Sequence, residues 1–159
     1  MKRKRILSLF LVFLLVFIWG NSLLSRQVSG TISDTIMEYM NAAAKWLGLG
    51  EDFFTYRTDT DGDGVEENTS HLVRKMAHVA EFAALAVVLW LLREGSDKKR
   101  SGFTLGLAVL VGAIDETLQI FSHRGSQLRD VAIDAVGALL GIVVMLLVAY
   151  QRRKNGKSI

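Results

Sequence analysis

The sequence predicts an all-α fold, an integral membrane bundle of four transmembrane helices with an additional amphipathic outer helix. Three observations predict it. Of the 159 residues 50% are hydrophobic and none is Pro or Cys, a composition of apolar helices rather than of a soluble domain. Four stretches reach the roughly 17–25 mostly apolar residues that a bilayer core demands. The basic residues gather in short runs at the ends of those stretches, "KRKR" at 2–5, "REGSDKKRS" at 93–101 and "QRRKNGK" at 151–157, where they read as topology signals.

Charge and cysteine content exclude several classes. The formal net charge of +3 is not spread along one face, so no nucleic acid partner is expected. Without cysteine there is no thiolate nucleophile, no Cys-ligated zinc and no disulfide. The chain reads as one membrane domain over residues 1–159.

The first span covers residues 6–24. A basic start before an apolar run also describes a secretory signal peptide, but no A-x-A-like cleavage site follows, so a retained span is expected. Trp19 stands where an interfacial aromatic anchor would lie. Residues 25–71 form an outer loop, with an amphipathic helix at 32–47. There Ile32, Ile36, Tyr39, Met40, Ala43, Ala44 and Leu47 recur at helical spacing, Asp34, Glu38, Asn41 and Lys45 lie opposite, and Gly48 and Gly50 mark the stop. Such a helix covers the bundle or lies on the outer interface.

The segment "DTDGDGVEENTS" at 59–70 places Asp59, Asp61, Asp63 and Gly64 at positions 1, 3, 5 and 6 of a calcium loop, with Glu67 at position 9. Position 12 calls for a bidentate Glu and is Ser70. The segment therefore reads as a solvated acidic loop, and a weak calcium site at Asp59, Asp61, Asp63 and Glu67 is the alternative. No other cofactor is expected.

The remaining spans are predicted at 72–92, 103–121 and 131–150. Four crossings put all three basic runs on one side, which the positive-inside rule makes the cytoplasm. Acidic residues dominate segment 25–70, whose basic side chains are Arg26, Lys45 and Arg57. The expected location is thus the cell membrane, multi-pass, with both termini cytoplasmic and the lipid bilayer as first partner.

Polar residues then stand out by depth. At ~1.5 Å rise per residue, Glu81 lies roughly 10 Å and Asp115 roughly 9 Å below the outer ends of their helices, and Asp134 about one turn below the start of the fourth. Arg74, Lys75, His78, Gln119, His123, Arg124, Arg129 and Asp130 lie toward the same end, whereas the cytoplasmic halves are almost wholly apolar. Arg74, His78 and Glu81 share one helical stripe, Asp130, Asp134, Gly137 and Gly141 share another, and Glu116 is turned about 100° from Asp115. Gly137 and Gly141 form a GxxxG, which lets a neighbouring backbone approach closely. Because an ionised group in hydrocarbon costs at least ~2.5 kcal/mol, these side chains should face one another or water, giving an outward polar pocket.

"RKMAHVAEF" at 74–82, "DETLQIF" at 115–121, "RGSQLRDVAIDAVGALLG" at 124–141 and "FIWGNS" at 17–22 resemble the VanZ-like family of small bacterial membrane proteins. Family members commonly carry Pro-Gly before the arginine, whereas this chain reads "FSHRGS"; the acidic insert at 50–70 lies outside the shared motifs. The resemblance implies action at the cell envelope. The founding member is associated with low-level resistance to teicoplanin, a glycopeptide that binds cell-wall precursors, and the family has no securely assigned reaction. The positions it carries over are Lys75, His78, Glu81, Asp115, Glu116, Gln119, Arg124, Asp130 and Asp134.

Three chemistries could use this set. In the first, Arg74, Lys75, Arg124 and Arg129 attract an anionic envelope lipid, a cell-wall precursor or the glycopeptide, while Glu116, Gln119, Asp130, Asp134 and the deeper carboxylates hydrogen-bond its amides and hydroxyls. In the second, His78 with Glu81 or Asp115 forms a catalytic acid/base pair acting on a lipid-linked substrate, with Arg124 neutralising developing charge. In the third, His78 and Glu81 hold a metal with Asp115, His123 or Asp130, although HExxH and any Ser nucleophile motif are absent. These residues fit an enzyme and a binding protein alike. Binding or shielding ranks first, an envelope-lipid enzyme second, and a proton-coupled transporter third, since the apolar cytoplasmic halves argue against a through-path.

A purely structural role competes for each residue. Arg124 or Arg129 could lock helices by answering Asp130 and Glu81, Asp130 could serve as an N-cap, and Gln119 could be an interhelical hydrogen-bond partner. Glu116 could simply face the interface, and His71 reads as a solvated helix start.

Overall fold

In the computed structural model, the described residues are 2–24, 26–50, 54, 57–58, 67–121 and 128–156. They form α1 (Lys2–Leu23), α2 (Arg26–Trp46), β1 (Arg57–Thr58), β2 (Glu67–Asn68), α3 (Thr69–Leu92), α4 (Asp97–Phe121) and α5 (Leu128–Lys154). Two compact units divide the chain, one of Met1–Leu23 with His78–Ile159, the other of Leu24–Ala77.

The first unit is a four-helix bundle. Ile18 of α1, Phe82, Leu85, Ala86 and Leu89 of α3, Ala108 and Val111 of α4, and Ala138 and Ile142 of α5 make one core, and Trp90, Met145 and Ala149 make a second. Its outer surface is apolar as well, with Leu9, Phe13 and Val16 of α1 and Leu139, Val143 and Leu147 of α5 exposed. Water would not tolerate so continuous an apolar surface on a monomer, whereas acyl chains solvate it. All four helices are long and apolar enough to cross a membrane. Since lipid tails are as apolar as Leu, close packing and hydrogen bonds between helices, more than area burial, hold such a bundle together.

Gly137 and Gly141 show what that packing needs. A Cβ at Gly137 would come 2.5 Å from the Val79 carbonyl oxygen, and one at Gly141 would collide with that of Ala83. The α5 backbone therefore lies directly on the α3 backbone. At the other end of these helices, Ser96 supplies the carbonyl for the first bond of α4, from the Arg100 N–H at 2.9 Å, and Asp97 stands in the first turn, where a carboxylate suits the helix dipole. Lys4 pairs with Glu94 and Arg153 with Asp97, while Arg93 lies 4.8 Å over Phe103 and Arg100 4.6 Å over Trp90. The bond from Lys4 holds the Glu94 carboxyl below the usual carboxylate range. These contacts bring the start of α1, the α3–α4 turn and the end of α5 to one end of the bundle, so successive helices run antiparallel. The basic runs of the sequence thus share that end.

The second unit carries α2. Its helix starts at Arg26, six residues before the amphipathic segment read from the sequence, because Val28 extends the Ile32 and Ile36 stripe by one more turn. Val28, Ile32, Ile36 and Tyr39 are exposed, whereas Ser33 and Ala44 are buried. The helix stops where Gly48 takes a φ of 76°, a left-handed conformation that glycine adopts without strain. β1 and β2 pair antiparallel, Arg57 opposite Asn68 and Thr58 opposite Glu67. This short ladder has no counterpart in the reading of the sequence: two residues per strand are too few to show alternation. Asp59, Asp61 and Asp63, named for the weak calcium alternative, lie outside the described residues, as does the Glu67 side chain.

Candidate functional site

The four helices of the bundle bury a layer of polar side chains away from its basic end. Each helix contributes at least one. From α1 come Asn21 and Ser22, from α3 His78 and Glu81, from α4 Asp115, Glu116 and Gln119, and from α5 Asp134. Asp115 and Asp134 are both 0% exposed. A carboxylate so placed must find donors within the protein.

Asp115 finds two. The Ser22 hydroxyl donates to Oδ1 at 2.6 Å, and the Gln119 amide donates to Oδ2 at 3.1 Å. The same amide donates to Glu116 Oε1 at 2.9 Å. Glu116 is therefore buried rather than turned to the interface, and the Gln119 amide links Asp115 with Glu116 along α4. A 100° offset between neighbours is bridged because Gln119 stands four residues from one carboxylate and three from the other, on the face both can reach.

Glu81 accepts a bond from the Asn21 amide at 3.0 Å on Oε1, while its Oε2 is buried without a hydrogen bond among the described residues. His78 is half-buried, with Nδ1 3.3 Å from Asp134 Oδ1. The two are close enough for an ion pair but not aligned as a hydrogen bond, and among the described residues neither oxygen of Asp134 accepts one. Asp134 fits where it does because α4 has glycine opposite it: a Cβ at Gly112 would lie 3.1 Å from Asp134 Oδ2 and 3.5 Å from Phe82. His78, Asp115 and Asp134 each offer one ligand atom, all within 4.8 Å of one another.

The other residues singled out by the sequence are placed differently. Asp130 is half-buried in the first turn of α5. Because that helix begins at Leu128, Asp130 is a first-turn residue rather than the N-cap, and its carboxylate answers the helix dipole. Arg74 and Lys75 are half-buried and belong to the second unit. Arg124 and His123 lie outside the described residues, and so do the side chains of Arg129 and His71. The metal reading from sequence named Asp115, His123 or Asp130 as partners of His78 and Glu81; the structure brings Asp115 and Asp134 to His78.

Asn21, Ser22 and Gly112 are the residues that sequence reasoning missed. Asn21 and Ser22 end an apolar run and so look like the exit from a span. A signal existed, since they are the polar pair in the last turn of α1, on the side where Glu81 and Asp115 lie.

Four apolar helices that enclose ionisable side chains define a multi-pass α-helical membrane protein. The chain matches the VanZ/LLP1 family over residues 6–149 and belongs to it. It is similar to a Bacillus subtilis (strain 168) protein, "Uncharacterized membrane protein YwnJ", at 35% identity over 83 residues, 52% of this chain and 54% of that protein. The chain thus spans about half the length of the curated relative it matches. No solved structure matches it.

Proposed function

We propose that this protein acts at the bacterial cell envelope and lowers susceptibility to glycopeptide antibiotics such as teicoplanin by binding or shielding a polar envelope component. One observation carries the reading: each of four membrane helices gives polar or ionisable side chains to one buried layer, although each such group is expensive to place in hydrocarbon. In this reading both termini are cytoplasmic, and the layer opens outward as a polar pocket. His78, Glu81 and Asp115 sit at its centre with Asp134, Glu116 and Gln119 beside them. In the same reading Arg74, Lys75, Arg124, Arg129 and Asp130 are the residue types suited to attract an anionic headgroup or cell-wall precursor.

The test is teicoplanin susceptibility of a sensitive Gram-positive host producing the intact protein, Glu81→Gln or Asp115→Asn, at matched membrane levels. Protection by the intact protein, weakened by either change, supports the pocket as the binding element. No protection by the intact protein would overturn the glycopeptide reading. Equal protection by both variants would reduce the carboxylates to scaffold.

The 3.3 Å approach of His78 Nδ1 to Asp134 Oδ1 favours a second reading, acid/base catalysis on a lipid-linked envelope substrate. The two are separable in the same assay. A binding protein tolerates isosteric loss of one proton donor with graded effects, whereas an enzyme loses all protection when its acid or base is neutralised.

A further inference from the structure

Asp134 sets the problem. It is 0% exposed in the bundle, and among the described residues both its oxygens are buried without accepting a hydrogen bond. Among the described residues the basic atom beside it is Nδ1 of His78, 3.3 Å from Oδ1, which is itself buried and also makes no hydrogen bond. A proton shared between the two would align them, and it would still leave Oδ2 without a donor. Buried atoms on two facing helices, Nδ1 of His78 on α3 and both oxygens of Asp134 on α5, thus lie beside the Asp115 carboxylate of α4 with no hydrogen bond between them among the described residues, an arrangement that a cation would satisfy.

The geometry suits one. Ligand atoms of His78, Asp115 and Asp134 all lie within 4.8 Å of one another. Metal bonds of about 2.0–2.1 Å in a tetrahedron give ligand–ligand edges of about 3.3 Å, the separation of His78 Nδ1 and Asp134 Oδ1. A neutral imidazole and two carboxylates carry two negative charges, which a divalent ion cancels within the low-dielectric interior. Outer hydrogen bonds are in place too, because Ser22 and Gln119 each donate to one oxygen of Asp115 and fix its carboxylate while leaving lone pairs inward. Gly112 supplies the room beside Oδ2 of Asp134. One imidazole nitrogen and two carboxylate oxygens select Zn2+ before Mn2+, and reject Cu(I), which prefers sulfur.

We propose that His78, Asp115 and Asp134 bind a divalent first-row transition metal ion, Zn2+ foremost, between α3, α4 and α5. Three protein ligands leave a fourth position open, as in zinc sites that hold water or substrate and unlike closed structural sites. This inference is independent of the glycopeptide reading, because binding is measured on the isolated protein.

The experiment is a Zn2+ titration of the full chain in detergent, stripped with chelator, using a competing chromophoric chelator as readout. Asp59→Asn, Asp61→Asn and Asp63→Asn are present throughout, so that the acidic loop contributes nothing. One Zn2+ per chain is expected, with affinity reduced by ~100-fold or more in Asp134→Asn and His78→Leu and by roughly 10-fold in Ser22→Ala, which keeps all three ligands. Cobalt should give the visible absorption of a four-coordinate site, absent in Asp134→Asn. Lack of stoichiometric Zn2+ binding by the otherwise intact chain overturns the proposal without reference to any ligand variant. Unchanged affinity in folded Asp134→Asn, or in Ser22→Ala together with His78→Leu, overturns it as well.

Discussion

Ser22 is a small side chain with a large electrostatic task. Its hydroxyl lies 2.6 Å from a carboxylate oxygen that has no exposed surface. Removing a donor from a buried charged acceptor leaves that acceptor's desolvation uncompensated, a cost of roughly 1–3 kcal/mol. Ser22→Ala should therefore lower the unfolding free energy of the metal-free protein by about that amount in a detergent denaturation series, and Ser22→Thr should restore most of it. Equal stability of Ser22→Ala and the parent would mean that the hydroxyl supports nothing. The sequence displayed His78, Glu81, Asp115 and Asp134 by depth, because a charge inside an apolar run is conspicuous. It hid Ser22 and Asn21, because short polar residues at the end of a run look the same whether they face water or a buried acid. Arg124, Arg129 and the acidic loop were equally visible in the sequence, but visibility of a residue type says nothing about its partners.

Between elements, the α3–α5 contact carries the site. Gly137 and Gly141 press the α5 backbone onto Val79 and Ala83, and that approach sets the separation of His78 on α3 from Asp134 on α5. A Leu at position 141 would meet the Ala83 carbonyl oxygen and, at 2.9 Å, the Ala86 methyl. Neither can move without shifting the helix, so Gly141→Leu should cost at least ~1–3 kcal/mol of stability. The measurement is the denaturation midpoint in detergent, with Leu139→Ala on the exposed face of the same helix as control. A midpoint unchanged by Gly141→Leu would show that α5 does not rest on α3. The GxxxG spacing was legible as a close-approach motif, yet the sequence did not say which neighbour approaches. Helix starts were less legible still. α2 begins at Arg26 because Val28 continues its stripe, and α5 begins at Leu128 because Asp130 is accommodated in a first turn as readily as at a cap.

For the molecule as a whole, the all-α, four-span architecture was readable because span length and charge placement are imposed by the bilayer and not by tertiary detail. The basic runs meet at one end of the bundle, which is the cytoplasmic end in the orientation proposed above. Alkaline phosphatase joined after Ile159 should accordingly be inactive in cells, whereas the same enzyme joined after Leu49 should be active. The reverse pattern would place the polar layer toward the cytoplasm and remove the envelope reading with it. The buried layer has a further consequence, in time rather than in space. Between Ile6 and Leu23, α1 carries no ionisable side chain, so it is the span that enters a bilayer with least help, whereas α3, α4 and α5 each bring charge that is costly to insert alone. The order in which the ribosome delivers the helices is thus also the order in which each acid finds its neighbour already in place: Asn21 before Glu81, Ser22 before Asp115, and His78 before Asp134.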